Sequence, residues 1–223
     1  MPKDSSELRE KIVQAAELLF RSGVMSKSGH GNMSARLDDE TMLLTSTGNL
    51  RRLSTDSLVV VRFDGTVLAG SLDPVTAEII PMHARIYEER RDVGSIIHTH
   101  SPHVTAFALA NEPLPCTYES LLRHGLAEPV PVARWAPRGS QESVQNILDA
   151  IAGRPSLPAV LLGNHGLLAF TAEPIRTAEL IIAMEEGAEM MLLAKALGGA
   201  KPFPPGALEK EQEHMRRFGS SPS

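Results

Sequence analysis

The fold class predicted by the sequence is α/β, with a mixed or antiparallel sheet covered by helices. Short apolar runs and longer segments of helical period follow one another at irregular spacing, unlike the regular alternation of a parallel βαβ sheet. Asp64-Gly65, between the apolar runs 58–63 and 67–68, is a strong hairpin signal. Two further apolar runs, 94–97 and 159–162, read as buried strands, and each leads into histidine. The 223 residues are 42% hydrophobic and 22% charged, a balance that can bury a sizeable core. With no linker-like stretch and no repeat, residues 1–223 read as a single domain. Residues 209–223 read as a polar C-terminal tail, expected to order only against a neighbour.

Asp4 followed by Glu7 is a capping-box pattern for a first helix. Its apolar face is Leu8, Ile12, Val13, Ala16, Leu19 and Phe20, and Gly23 suits its end. Residues 28–34, Ser-Gly-His-Gly-Asn-Met-Ser, read as a glycine-rich loop. Short strands are expected over 35–37 and 42–45 around a turn at 38–40, followed by a hydroxyl-rich loop at 45–49 and the hairpin. Pro81 is harmless only in the first turn of a helix, so the next helix should begin near Ala77 or Glu78. That start puts Glu78 at a helix N-terminus, where a carboxylate complements the dipole. The short connection 91–94 sets this helix beside the strand at 94–97. Helices are expected over 104–110 and 140–152, a strand or loop over 113–118, and a short strand over 130–133. A long helix from Pro174 to Gly198-Gly199 is apolar on much of its circumference and should be buried against the sheet or another subunit.

His98-Thr99-His100 closes the run at 94–97. Alternate strand residues share a face and lie roughly 6.5 Å apart, so the two imidazoles can close on one ion. Two histidines fill half of a tetrahedral shell, and His165, flanked by Gly163-Asn164 and Gly166, supplies a plausible third ligand. Three neutral imidazoles with an open fourth position describe a catalytic rather than a structural metal site. His83 and His103 flank this segment and read as surface or core-edge histidines, with support of the metal ligands from behind as the alternative. Arg138 is a candidate for binding an anion, while Trp135 reads as packing.

Net charge is −5, which disfavours nucleic acid or an anionic membrane as partner. Cys116 is the only cysteine, so no internal disulfide exists. The N-terminus lacks an apolar signal core and no apolar run approaches the length of a membrane span, so a cytoplasmic protein is expected.

Taken jointly, Gly31-Asn32-Met33-Ser34, Thr45-Ser46-Thr47-Gly48, Glu78, His98-Thr99-His100 and Asn164-His165-Gly166 resemble, in this order, the class II aldolase and adducin-head family of the fuculose-1-phosphate aldolase type. The resemblance covers residues 8–197. It implies a three-layer α/β/α fold around a mostly antiparallel mixed sheet. It implies one divalent ion per chain, Zn2+ with Mn2+, Co2+ or Fe2+ as alternatives, on His98, His100 and His165. Glu78 is then the catalytic acid/base, and Gly31, Asn32, Thr45, Gly48 and Thr76 hold the substrate's phosphate. The resemblance further implies a homotetramer with active sites at subunit interfaces, which makes Tyr118 a candidate proton donor to a neighbour's site. Its surroundings, Cys116, Glu119, Arg123 and His124, and the unusual His30 receive no role. One departure stands out: the family's sugar-phosphate aldolases often carry two hydroxyl residues before the glutamate, and here they are Thr76-Ala77. A carboxylate is therefore an alternative to phosphate in this cradle.

The expected function is that of a metal-dependent lyase acting on a small hydroxy-carbonyl compound, a sugar phosphate first among the candidates. Retro-aldol cleavage needs a sink for the released electrons, and a divalent ion stabilises the enediolate that forms. Glu78 then moves the proton. The same scaffold also suits a decarboxylase, a dehydratase or an epimerase, a non-haem iron oxygenase, or a non-catalytic adducin-like scaffold. Glu78 argues against the epimerase branch, whose members tend to have aspartate there. Three histidines and a base argue against the pure scaffold.

Overall fold

The structure, a computed structural model, describes residues 5–218. The first helix, α1 (Ser5–Arg21), buries Leu8, Ile12, Ala15, Ala16 and Leu19 along one stripe, and Gly23, at φ 72°, turns the chain after it. Asp4 of the capping-box pattern lies outside the described residues.

Among the described residues eight strands follow: β1 (Gly31–Arg36), β2 (Thr41–Thr45), β3 (Leu58–Arg62), β4 (Val67–Ala69), β5 (Ser95–Thr99), β6 (Val132–Ala133), β7 (Ala159–Leu162) and β8 (Gly166–Thr171). They form one sheet in the order β4-β3-β2-β1-β5-β8-β7-β6. Only β6 and β7 run parallel, and every other neighbouring pair is antiparallel. The remaining helices are α2 (Pro74–Ala77), α3 (Ile80–Glu89), α4 (Pro102–Ala110), α5 (Glu119–Arg123), α6 (Gln141–Ile151), α7 (Pro174–Ala194) and α8 (Ala207–Phe218). Helices α1, α4 and α7 pack together on the sheet, while α3 and α6 pair with each other. This is the expected three-layer α/β/α arrangement. Among the described residues no helix is long and apolar enough to cross a membrane.

Several boundaries differ from expectation. β1 starts at Gly31, so half of the expected loop at 28–34 is strand. Residues 31–35 are all buried, because this central strand is covered on both faces, and its small polar residues give no apolar alternation. β8 is absent from the expected elements; it is a mostly apolar run, buried over residues 166–170, returning beside β5. The helix expected from Ala77 or Glu78 is broken. α2 ends at Ala77, Glu78 caps it, and α3 begins at Ile80 with Pro81 in its first turn. Proline has no N–H to bond the carbonyl four residues back, so the two helices cannot merge. Arg36, at the end of β1, donates to the carbonyls of Tyr87, Arg90 and Val93 and so ties the C-terminal end of α3 to the sheet. The segment expected as a tail is helical over Ala207–Phe218, and Glu211 meets Arg123 of α5 at 3.1 Å. It is therefore ordered on its own chain. Residues 219–223 lie outside the described part.

Candidate active site

The sheet brings three imidazoles to one point. His98 lies in β5, between β1 and β8, and His100 lies one residue past its end. His165 sits in the turn between β7 and β8, where Asn164 takes the left-handed conformation (φ 56°) that a tight hairpin demands. Ring centroids are 4.7 Å apart for His98–His100, 4.7 Å for His98–His165 and 5.0 Å for His100–His165. Two glycines make this approach feasible. A Cβ on Gly166 would stand 2.6 Å from the Thr99 oxygen and 2.9 Å from His100 Cδ2; one on Gly31 would stand 2.5 Å from the His98 oxygen.

Burial, followed by the neighbouring His165 and His100, pushes His98 well below the usual imidazole range. Burial likewise lowers His100, and lowers His165 to about 4 with help from His100 and Arg138. All three rings are thus neutral at pH 7. His98 Nδ1 lies 2.8 Å from the Leu167 carbonyl, which can only accept, so the proton is on Nδ1 and the Nε2 lone pair faces the cluster. That Nε2 lies 3.2 Å from His100 Nε2. One ligand atom from each of the three rings lies within 4.8 Å of the others. Converging neutral imidazoles, one of them held by a backbone carbonyl from behind, are the donor set of a divalent ion such as zinc. The residues fit the group.

These histidines line a cleft of about 460 Å³ together with Gly31, Asn32, Gly48, Thr76 and Glu78. Glu78 lies at the break between α2 and α3, with its side chain 53% exposed. It therefore caps a one-turn helix rather than starting a long one. Beside it is a group whose weight was not evident in the sequence. Arg138 reaches over from the loop after β6, its Nε 4.0 Å from Glu78 Oε2 and its Nη2 donating to the Val75 carbonyl at 3.0 Å. Trp135 is 62% exposed at this cleft, so it does not pack in the core. His30 also lines the cleft.

The structure revises two members of the expected anion cradle. Thr45 is fully buried, and its hydroxyl accepts from the Met33 N–H at 3.2 Å, so it faces the strand and not the cleft. The Gly31 N–H is taken by the Gly48 carbonyl at 3.0 Å, which leaves Gly31 a spacing role against His98. Asn32 and the Thr76 hydroxyl remain as side-chain donors. Tyr118 is not in this cleft. It caps α5 beside Glu186, so within one chain it cannot reach the imidazoles. Burial pushes the Cys116 thiol up to about 11, which removes it as a nucleophile at neutral pH. His83, read from sequence as a surface or core-edge residue, is completely buried.

Against known proteins, the family described as Class II Aldolase and Adducin N-terminal domain matches residues 10–192. A 5-methylthioribulose-1-phosphate/5-deoxyribulose-1-phosphate aldolase of Rhodospirillum rubrum is 27% identical, over 99% of this chain and 96% of its own. A 3-oxo-tetronate 4-phosphate decarboxylase of Haemophilus influenzae is 30% identical, over 82% of this chain and 85% of its own. Among solved structures, an L-fuculose 1-phosphate aldolase superposes with a TM-score of 0.82 at 27% identity, covering 95% of this chain and 97% of the other.

Proposed function

Because the chain belongs to the class II aldolase and adducin N-terminal domain family, we propose that it is a divalent-metal-dependent lyase that splits a small hydroxy-carbonyl phosphate by retro-aldol cleavage. The observation that carries this reading is the convergence of three neutral imidazoles in a cleft that also holds the half-exposed carboxylate of Glu78. His98, His100 and His165 would hold the ion, which when bound acts as a Lewis acid on the substrate's carbonyl and hydroxyl oxygens. The remaining steps belong to the chain's own groups. Asn32 and the Thr76 hydroxyl donate to the substrate's anionic end and fix its register in the cleft. Glu78 carries the proton at the carbon where the bond breaks; its half-exposed side chain lets it reach into the cleft. Arg138 faces the Glu78 carboxylate across 4.0 Å at the opening.

Under this reading residues 1–223 act as one domain of this type in the cytoplasm, as a homotetramer loaded with zinc. Tyr118, remote from the imidazoles of its own chain, would serve as proton donor to a neighbour's cleft. A second reading is decarboxylation of an acidic sugar phosphate. One observation favours it: Arg138 lines the cleft, and a guanidinium matches a substrate carboxylate.

The test is a turnover screen with Zn2+, Mn2+, Co2+ or Fe2+ added in turn. Substrates are 5-deoxyribulose 1-phosphate, fuculose 1-phosphate and 3-oxo-tetronate 4-phosphate. Metal-dependent release of an aldehyde supports the lyase reading, and release of CO2 from the acid alone supports the second. No chelator-sensitive turnover of any of them would refute both.

A further inference from the structure

Asn32 stands in the cleft, but its amide is not free to turn. Its Oδ1 lies 2.7 Å from His83 Nε2. His83 Nδ1 lies 2.7 Å from Ser34 Oγ, and Ser34 Oγ lies 2.8 Å from the Tyr87 hydroxyl. Ser34, His83 and Tyr87 are all fully buried. An amide oxygen only accepts, so His83 carries its proton on Nε2. Burial keeps this ring neutral, with its proton affinity lowered to about 3, and a neutral ring protonated on Nε2 must accept at Nδ1. The Ser34 hydroxyl therefore donates to His83, and its oxygen accepts from Tyr87. Each bond dictates the direction of the next, and the row ends with the two Asn32 amide hydrogens left for the cleft.

We propose that His83 is a positioning residue: with Ser34 and Tyr87 it locks the Asn32 amide so that nitrogen, not oxygen, meets the substrate's anionic group. This rests on the anion-binding reading of the cleft given above. Reversing the amide would set two donors face to face at His83 unless the ring changed tautomer, and the ring could not change tautomer without turning Ser34 and Tyr87 as well. The lock matters here because Thr45 and the Gly31 N–H are already engaged within the protein, whereas the Asn32 amide hydrogens face the cleft.

Two measurements test it on the full, metal-loaded protein. Nitrogen-15 spectra of the wild type at pH 7 should assign the neutral Nε2–H tautomer to His83; the Nδ1–H tautomer or an imidazolium would overturn the lock without any variant. Calorimetric titration with inorganic phosphate then compares wild type, His83→Gln and His83→Leu. Gln still donates toward Asn32 and should hold phosphate within about threefold of wild type, whereas Leu cannot and should weaken it about tenfold at unchanged metal content. Equal affinities for all three overturn the lock alone. A wild type that binds no phosphate overturns the anion-binding reading, and with it the use assigned to the amide.

Discussion

The burial of His83 makes the fold acid-sensitive by an amount that can be worked out. In the folded chain the ring refuses a proton until about pH 3, while its ordinary value is 6.5. Between these limits the unfolded chain binds more protons than the folded one, so the free energy of unfolding falls as pH falls. Each pH unit is worth about 1.4 kcal/mol, so lowering the pH from 7.5 to 5 should remove about 2 kcal/mol through this one residue. Above pH 7 the term vanishes, because neither state is protonated there. Urea unfolding of chelator-treated protein, followed by circular dichroism at pH 7.5 and 5.0 and at one chain concentration, measures it. His83→Gln should be the less stable protein at pH 7.5, having exchanged a fitted ring for an amide. Its loss on going to pH 5 should be smaller than the wild type's by about 2 kcal/mol. The buried His98 pulls in the same direction in both proteins and largely cancels in the difference. Parallel losses in the two proteins would refute the reasoning, since they would mean that His83 takes up its proton in the folded state.

Three further outcomes are expected. Glu78→Gln should keep the fold and the bound ion while turnover falls about 10²–10⁴-fold; its side chain is 53% exposed and its Arg138 pair is wide at 4.0 Å, so a large drop in melting temperature with turnover intact would instead make it structural. Replacing His98, His100 and His165 together by alanine should abolish the bound divalent ion, and elemental analysis finding full occupancy in that variant would rule the site out. Arg138→Ala should raise the KM for an acidic substrate about tenfold, as expected for one lost charge-assisted hydrogen bond, and an unchanged KM would free Arg138 from any substrate role.

The parts of this molecule legible in its sequence are those where a local rule decides. The hairpin at Asp64-Gly65, the amphipathic α1 and α6 and the long apolar α7 lie close to where period and turn chemistry put them. The approach of His98, His100 and His165 was legible too, from strand ends and flanking glycines. What was not legible depends on tertiary partners. β1 is written in Gly, Asn and Ser because its residues meet a cleft and a buried polar row, and such a composition mimics a loop. Glu78 lies in a break that Pro81 causes from three residues away. Thr45 matches a pattern of anion-binding hydroxyls, yet register sends its Oγ1 to Met33. No spacing rule joins Ser34 to residues 83 and 87; only the antiparallel pairing of β1, with α3 laid over it, does so.

The tetrapeptide Gly31-Asn32-Met33-Ser34 is best understood as a strand with two faces rather than as a binding loop. Gly31 is glycine because the chain beside it carries His98, and any Cβ would press on that residue's carbonyl. Asn32 faces the cleft from the same strand face on which Ser34, two residues on, meets His83 and Tyr87. Met33 points the other way and is fully buried in the hydrophobic core. One strand thus sets the clearance of a metal-site histidine, the donor that meets the substrate and the buried polar row that aims this donor. The spacing of these functions follows from the period of two in a β-strand, so a one-residue slip of β1 would turn Asn32 and Ser34 into the core and Met33 toward the cleft. Register is therefore as much a part of the site's chemistry as the identity of its side chains. The antiparallel pairing of Asn32 with His98 and of Ser34 with Ile96 is what holds that register.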